Sequence, residues 1–439
     1  MTPGARLQAT IELLEQIWGD NVPADQMVDA YFKRRRYAGS SDRRSINERL
    51  FHIIRHRARL DWWIERTGGQ IEINPRSRII ADLALSDKFS PAQSQALFTG
   101  AGHCPAPLSV YELELADQLY GRPLNHQDMQ NPVAFEYPEW LDRSLTTLWG
   151  NRLEVEITAL NQTAPLDLRV NSIKATREQA QASLAAEFIE TEPTALSPLG
   201  LRVSEKRRLG GTQAFRQGLV EVQDEGSQIL ALLSGAEPGM SVVDFCAGAG
   251  GKTLALAAAM TSSGRFQGHL TACDISQVRM DRMEQRLKRA GANSVKRQVL
   301  SARNDPWVAR NATRWDRVLC DVPCTGTGAW RRDPDAKWRF TPTDLESIIN
   351  TQRHILEQAS TLVKPGGRLI YASCSLLQEE NEQQLAWFFE NIQGFEVLSI
   401  DQVWQETIGG PPPPAGPCLR LSPASTGTDG FFCTVLERH

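Results

Sequence analysis

Hydrophobic positions along the chain follow different spacings in successive regions. Apolar residues within 7–18 recur every three to four positions, and the same spacing further along predicts helices over residues 5–145. In the segments 153–157 and 166–170, apolar and charged residues alternate, which predicts two half-exposed strands. A helix is predicted over 176–185. The order therefore indicates an all-helical region followed by a small α+β module.

From residue 218 onward, short apolar runs alternate with stretches long enough for a crossover helix, such as 277–289 and 342–362. Such alternation is typical of parallel strands joined by helices, so it predicts a doubly wound α/β sheet. The predicted strands are Ser241–Phe245, Leu270–Asp274, Val295–Val299, Arg317–Asp321, Arg368–Ser373, Phe395–Ile400 and Gly430–Leu436.

The length fits about three domains, since a typical domain has roughly 100–200 residues. With 439 residues and 41% apolar content, the chain can bury more than one core. We expect a helical domain over 1–145, an α+β module over 146–217 and an α/β domain over 218–439.

Charge is spread unevenly. The formal net charge of −4 does not by itself indicate a nucleic-acid partner. Between Lys33 and Arg59, however, ten Lys and Arg residues stand against Asp42 and Glu48. This basic cluster offers a polyanion an electrostatic footprint. A solvated helix face explains the same pattern, and charge alone does not separate the two interpretations.

The cysteine pattern bears on compartment and metal binding. The eight cysteines form no CxxC pair, the amino terminus shows no signal-like segment, and no apolar run approaches the roughly 18 residues of a membrane span. We therefore expect a soluble, cytoplasmic, monomeric protein with no membrane and no metal partner. His52 and His56 are four residues apart, but Ile53 stands where a zinc hydrolase has glutamate. Five cysteines are interpreted as small buried hydrophobes, namely Cys104, Cys273, Cys320, Cys418 and Cys433.

A glycine-rich turn follows the strand that begins the α/β region. A P-loop would require glycine at Cys246, and a dinucleotide fingerprint would require glycine at Thr253. The turn therefore favours a ligand with a ribose but no phosphate to bind. Asp274 ends the second strand, where a carboxylate can bind that ribose, and S-adenosyl-L-methionine meets both constraints; alternatively, Asp274 caps the helix that starts near Ser276. The predicted cofactor residues of the turn are Cys246, Ala247, Gly248, Ala249, Gly250, Gly251 and Lys252.

Two further cysteines each follow a predicted strand. Cys324 comes shortly after the strand ending at Asp321, and Cys374 directly after the strand ending at Ser373. In the strand order 3-2-1-4-5 these ends are neighbours, and ligands bind at such ends. Carbon 5 of a pyrimidine is a poor nucleophile, so its methylation requires a thiolate to attack carbon 6 and a hydrogen-bond partner near ring nitrogen 3. Cys374 and Asp321 meet that need.

Ordered sequence blocks in the carboxyl half carry a family resemblance. The chain resembles the bacterial Sun/RsmB family of RNA (cytosine-5) methyltransferases. The matching blocks are Val222–Gln228, Cys246–Thr253, Asp321–Gly328, Asp333–Trp338, Lys364–Gly367, Ser373–Ser375 with Glu379–Glu382, and Asp429–Phe432.

The resemblance implies a Rossmann-like class I methyltransferase with a seven-stranded sheet. It implies that Cys374 is the nucleophile, that Cys324 aids product release, and that Asp321 lies on both the base and the cofactor side. It further implies an RNA-positioning role for the middle module, including Leu168–Asn171, and a NusB-like RNA-binding domain at the amino terminus. The implied substrate is cytosine in structured RNA, with ribosomal RNA favoured.

Alternatives to this interpretation differ in sequence features. A DNA cytosine-5 enzyme would carry its nucleophile in the Pro-Cys motif, and an amino-group methyltransferase would have an aromatic residue in place of Cys324. Cys374 disfavours both. Transfer RNA as the substrate, or a non-catalytic ribosome assembly factor, stays open.

Two positions depart from the family pattern. Ala249 stands where the family usually has proline, and Ser301 stands where it has a third cofactor carboxylate. We expect the Ser301 hydroxyl or the backbone to bind adenine, because Asp305 lies too far along the chain to replace that carboxylate.

Overall fold

The structure is a computed structural model that describes residues 1–20, 22–67, 69, 71–205, 208–301, 304–414 and 416–439. The chain forms two compact units. The helical unit comprises Met1–Gln162 together with Trp330–Phe340, and the α/β unit comprises Thr163–Ala329 together with Thr341–His439. The predicted boundaries at 145/146 and 217/218 stay predictions.

Apolar helix faces build the core of the helical unit, as the spacing predicts. Leu13 and Leu14 are fully buried against residues such as Leu50 and Ile53. Ser90 accepts a hydrogen bond from the Gln93 amide at 3.3 Å and so caps a helix that begins at a proline. The helices are α1 (Pro3–Gly19), α2 (Ala24–Arg34), α3 (Ser40–Arg55), α4 (Arg57–Arg66), α5 (Pro75–Leu85), α6 (Pro91–Gln95), α7 (Val110–Leu119), α8 (Asn131–Ala134), α9 (Asp142–Trp149) and α10 (Leu153–Asn161).

The predicted strand over 153–157 is wrong, because these residues begin α10. Leu153, Ile157 and Leu160 are buried at helical spacing, whereas Val155 is 60% exposed. Alternation over five residues also fits one face of a short helix, and packing decided in favour of the helix.

A small antiparallel sheet begins the α/β unit. Its strands run in the order β2-β3-β1-β4, and Leu168 pairs with Leu201. Ala180 and Leu184 of the adjacent helix pack on this sheet in a shared core. The predicted strand over 166–170 and the helix over 176–185 are confirmed. The strands are β1 (Leu166–Val170), β2 (Thr191–Pro193), β3 (Gly200–Val203) and β4 (Val220–Val222).

A large mixed sheet forms the rest of the unit, with helices on both faces. It contains the seven predicted strands and one short additional strand, Leu419–Leu421. The remaining strands are β5 (Ser241–Asp244), β6 (Thr261–Ser262), β7 (Arg265–Phe266), β8 (His269–Asp274), β9 (Lys296–Val299), β10 (Trp315–Asp321), β11 (Val363–Ser373), β12 (Phe395–Val397), β13 (Leu419–Leu421) and β14 (Phe431–Arg438).

The strand order of the large sheet is β12-β14-β11-β10-β5-β8-β9, which contains the expected 3-2-1-4-5 order of parallel strands. The strand β14 runs antiparallel to both neighbours on this path. The carboxyl ends of β5, β8, β10 and β11 therefore meet at one edge, where an open sheet binds its ligands. The remaining helices are α11 (Arg177–Ala185), α12 (Gln213–Arg216), α13 (Glu225–Leu232), α14 (Gly251–Ala259), α15 (Gln277–Ala290), α16 (Pro306–Arg310), α17 (Ala336–Arg339), α18 (Pro342–Leu362), α19 (Glu382–Asn391), α20 (Ile400–Thr407) and α21 (Pro423–Thr426).

Candidate active site

Two thiols meet at the carboxyl edge of the large sheet. The strands β10 and β11 are hydrogen-bonded neighbours, with Asp321 opposite Ala372. Cys324 and Cys374 follow these strands, and their Sγ atoms are 3.2 Å apart. The contact with Cys374, followed by burial, raises the pKa of Cys324 well above its ordinary value. Cys324 is therefore a protonated thiol at neutral pH, able to donate a hydrogen or pass on a proton.

An ion pair lies at the end of β10. Lys252 Nζ donates to Asp321 Oδ2 at 2.6 Å. Burial acts to lower the pKa of Lys252, but the attraction of Asp321 outweighs it and the pKa is raised. Lys252 is buried while Asp321 is partly exposed, so the pair presents an ammonium and a carboxylate to whatever occupies this edge.

The glycine turn uses backbone conformations that favour glycine. Gly248 has φ +54° and Gly250 has φ +86°, both in the left-handed region. A Cβ on Gly250 would come within 2.6 Å of Met283 Cγ, whereas a Cβ on Gly248 would meet nothing within 4 Å. Space is therefore open in front of Gly248, next to the start of α14. Cys246 is half-buried, and burial raises its pKa well above the ordinary value.

Asp274 connects the turn to the next strand and helix. Its Oδ2 accepts the Gly248 amide at 2.8 Å, and its Oδ1 accepts the Ser276 amide at 2.7 Å. A carboxylate offers about four acceptor positions, so both oxygens retain acceptors for ribose hydroxyls. Open space at Gly248 beside this carboxylate fits a ligand with a ribose and no phosphate, as S-adenosyl-L-methionine has. The helix cap itself is Ser276, which accepts the Arg279 amide.

Asp244 is a carboxylate of this edge that sequence analysis did not assign to the site. It ends β5, is fully buried, and accepts a hydrogen bond from Thr253 Oγ1 at 2.6 Å. Burial raises its pKa to about 7. Its position as the last residue before the glycine turn was the available signal.

The end of β9 corrects one expectation. Ser301 donates both its amide, at 2.7 Å, and its hydroxyl, at 3.0 Å, to Asp305 Oδ2. The Asp305 carboxylate also caps α16 by accepting the Trp307 amide at 2.8 Å. Asp305 is distant along the chain but adjacent in space, so the end of β9 carries a carboxylate after all.

Much of the basic cluster is engaged within the helical unit. Arg35 pairs with Glu12 at 3.0 Å, Arg59 pairs with Glu136 at 2.8 Å, and Arg49 bonds to Asp82 and Asp87. Only part of the sequence excess therefore faces solvent. The exposed members are Lys33, Arg34, Arg36 and Arg44.

Other sequence expectations concern metals, membranes and structural cysteines. Within the described ranges, no group of three His, Cys, Asp or Glu side chains is arranged to hold a metal ion. No helix of the described chain is long and apolar enough to cross a membrane. His52 instead contacts Asp82 and His56. Cys273, Cys320 and Cys433 are buried as expected, whereas Cys104 and Cys418 are half-buried.

The sheet order, the glycine turn and the carboxylate after β8 define a Rossmann-like methyltransferase. The family model described as 16S rRNA methyltransferase RsmB/F matches residues 231–437, and a model of the ferredoxin-like domain of RsmF/B-like methyltransferases matches residues 137–209. The chain belongs to the RsmB/F methyltransferase family.

Relatives and a solved structure agree with this assignment. The chain is 27% identical over 416 residues to the probable ribosomal RNA small subunit methyltransferase B of Synechocystis, covering 90% of this chain and 91% of that one. It is 32% identical to ribosomal RNA small subunit methyltransferase B of Proteus mirabilis, covering 70% and 67%. The crystal structure of the protein PH0851 matches with a TM-score of 0.78 and 25% identity, covering 100% and 99% of the two chains.

Proposed function

We propose that this protein transfers a methyl group from S-adenosyl-L-methionine to carbon 5 of cytosine in ribosomal RNA. The observation that carries the proposal is the pair of thiols at the ends of β10 and β11, with Sγ atoms 3.2 Å apart. A base bound between them would present one face to a nucleophile and a release residue. An amino-group methyltransferase has no use for a thiol pair.

The chemistry follows from the roles of the site residues. The Cys374 thiolate adds to carbon 6, and the bond electrons pass into the ring to make carbon 5 nucleophilic. Lys252 and Asp321 supply an ammonium and a carboxylate for the hydrogen-bonding edge of the base near nitrogen 3. S-adenosyl-L-methionine supplies the methyl group. Loss of the carbon 5 proton then returns the electrons, and the bond between Cys374 and carbon 6 breaks.

Cys324 acts in the second half of this cycle. Its raised pKa keeps it protonated, so it is not a competing nucleophile at neutral pH. It lies against Cys374 and guides a base or water to the carbon 5 proton. The cofactor would be held by the glycine turn, by Asp274 and by the region of Ser301 and Asp305.

Ribosomal RNA is proposed as the substrate from the family and its relatives. The matching family model is described as a 16S rRNA methyltransferase, and the relatives from Synechocystis and Proteus mirabilis carry small subunit methyltransferase names. Unmethylated small-subunit RNA and transfer RNA transcripts, incubated with labelled cofactor, distinguish the two RNA classes. Incorporation into neither would favour a non-catalytic role.

The test of the chemistry separates the two thiols. Cys324→Ala should accumulate methylated RNA covalently bound to protein, seen as a cofactor-dependent band on a denaturing gel. Cys374→Ala should give neither methylation nor adduct, and the double variant should lose the band. Cys418→Ala, at a half-buried cysteine outside the thiol pair, should behave as wild type. An adduct that persists in Cys374→Ala would overturn the assignment.

A further inference from the structure

A buried carboxylate lies behind the two thiols and bonds to both of the loops that carry them. We propose that Glu380 is a positioning residue that sets the separation between the Cys324 and Cys374 thiols. The Cys324 loop is Val322–Gly328, and the Cys374 loop is Cys374–Leu377. The separation itself is a property of the fold, and its catalytic importance rests on the proposed function.

The two oxygens of Glu380 divide their bonds between the loops. Oε1 accepts the Thr325 amide at 2.9 Å, and Oε2 accepts the hydroxyls of both Thr325 and Ser375. Thr325 directly follows Cys324, and Ser375 directly follows Cys374. One rigid planar group therefore holds the residue next to each thiol.

Hydroxyl orientation makes the carboxylate necessary. The Thr325 and Ser375 hydroxyl oxygens are 3.3 Å apart, and Ser375 Oγ accepts the Leu377 amide at 3.1 Å. Because Glu380 accepts both hydroxyl protons, it fixes the direction in which each hydroxyl points. Without that acceptor, two buried hydroxyls would lose their partner, which is costly in a dry interior.

The surroundings of Glu380 match an ionised carboxylate. Gln352 Nε2 donates to Oε1 at 3.0 Å and also to the Pro323 carbonyl at 3.0 Å, so it braces the Cys324 loop from the other side. Burial raises the pKa of Glu380 from its ordinary value, while the hydrogen bonds from Ser375, Thr325 and Gln352 act in the opposite direction. All of these partners donate, which suits an acceptor-only group.

A neighbouring side chain provides a contrast. Asn381 accepts the Ser373 hydroxyl at 2.6 Å and donates to the Ser375 carbonyl at 2.9 Å. These bonds hold the Cys374 loop on both sides of its thiol. A change at Asn381 therefore loosens one loop, whereas a change at Glu380 uncouples two.

The first experiment measures thiol spacing without RNA or cofactor. Phenylarsine oxide bridges two nearby thiols and releases water, so its rate of capture by Cys324 and Cys374 reports their separation. Mass spectrometry of the peptides identifies the bridged pair. Glu380→Gln keeps the shape but turns an amide donor toward donors, and it should slow bridging about tenfold while each thiol still reacts with iodoacetamide.

Matched variants separate spacing from general damage. Gln384 is buried on the same segment and donates to the Glu379 carbonyl at 2.7 Å. Gln384→Met should lower the melting temperature without slowing bridging. Thr325→Val removes one hydroxyl bond to Glu380 and should slow bridging in part. If Glu380→Gln does not fold, Thr325→Val decides, and a wild-type bridging rate in whichever variant folds overturns the proposal.

The second experiment asks what the spacing does in the reaction. With both cysteines intact, Glu380→Gln should release methylated RNA slowly, so the trapped fraction should rise several-fold above that of wild type. Asn381→Ala should instead slow adduct formation without raising the trapped fraction. Absence of any adduct, even in Cys324→Ala, would refute the proposed function and leave the bridging result standing. A normal trapped fraction in Glu380→Gln would refute the catalytic part of this inference.

Discussion

At the residue scale, three aspartates at one sheet edge have different surroundings. Asp244 is buried beside a neutral hydroxyl, Asp321 faces the Lys252 ammonium, and Asp274 accepts two backbone amides. Environment rather than residue type decides what a carboxylate can do. Asp244 is suited to support the fold, while Asp274 and Asp321 can bind polar ligand groups.

The pH dependence of stability should reveal Asp244. Burial raises its folded-state pKa from 3.8 to about 7. Its contribution to stability is therefore complete below the unfolded value and is lost as pH rises through about 7. We expect the melting temperature of wild type, relative to Asp244→Asn, to fall between pH 4 and pH 7.5. A difference that is constant over this range would contradict the assignment.

The pair Ser301 and Asp305 makes the family carboxylate a poor replacement. Ser301→Asp would place a second carboxylate where the Ser301 hydroxyl now donates to Asp305 at 3.0 Å. Like charges repel, so we expect no gain in affinity for S-adenosylhomocysteine measured by calorimetry. Asp274→Asn, by comparison, should weaken binding about tenfold or more, because charge-assisted hydrogen bonds are lost. Tighter binding by Ser301→Asp would show that Asp305 does not serve this end of β9.

At the element scale, buried parallel strands were the easiest elements to predict. Their apolar runs are continuous because both faces are covered, and the seven predicted strands agree with the observed ones to within a few residues, except for the start of β11 and the end of the shorter β12. The strand β13 escaped notice because it has three residues and follows a proline-rich loop. The segment 153–157 failed because five residues fit two periods equally well.

The site shows the same contrast between local and long-range information. Strand ends and the glycine turn placed Cys324, Cys374 and Asp274 correctly in the chain, because these signals are local. The bond from Ser301 to Asp305 depends on loop geometry, and Glu380 reads in sequence as one of a run of exposed acids. Both depend on packing between distant segments, which a single sequence does not reveal.

The end of α2 carries the testable part of the basic cluster. Arg34 and Arg36 are exposed, whereas Arg35 lies 3.8 Å over the Tyr31 ring and pairs with Glu12. If this end binds phosphates, replacing Arg34 and Arg36 with alanine should flatten the salt dependence of RNA affinity by about 0.7–0.9 per contact. Arg35→Ala should lower the melting temperature more than the salt slope. An unchanged slope in the double variant would make this a solvated face.

At the scale of the whole molecule, the helical unit recruits a segment from the middle of the α/β sequence. Trp330–Phe340 belongs to the helical unit although it follows the Cys324 loop in the chain. Lys337 Nζ donates to Asn161 at 2.7 Å, and Asp335 accepts the Ala24 amide at 3.2 Å. Burial lowers the pKa of Lys337 to about 7, and Trp330 is 1% exposed. The helical unit is therefore incomplete without residues that lie outside the first third of the chain.

Cleavage between the two units should not separate them. Gln162 and Thr163 are both exposed, so a protease site inserted between them should be cut without unfolding either piece. Because the second piece carries Trp330–Phe340, which is part of the helical unit, the pieces should elute together from a sizing column and separate only in denaturant. Lys337→Ala with Asp335→Ala should weaken this association, while Lys364→Ala, at an exposed ion pair with Asp316 elsewhere in the α/β unit, should not. Separate elution of wild-type pieces in native buffer would show that the segment contributes little to the helical unit.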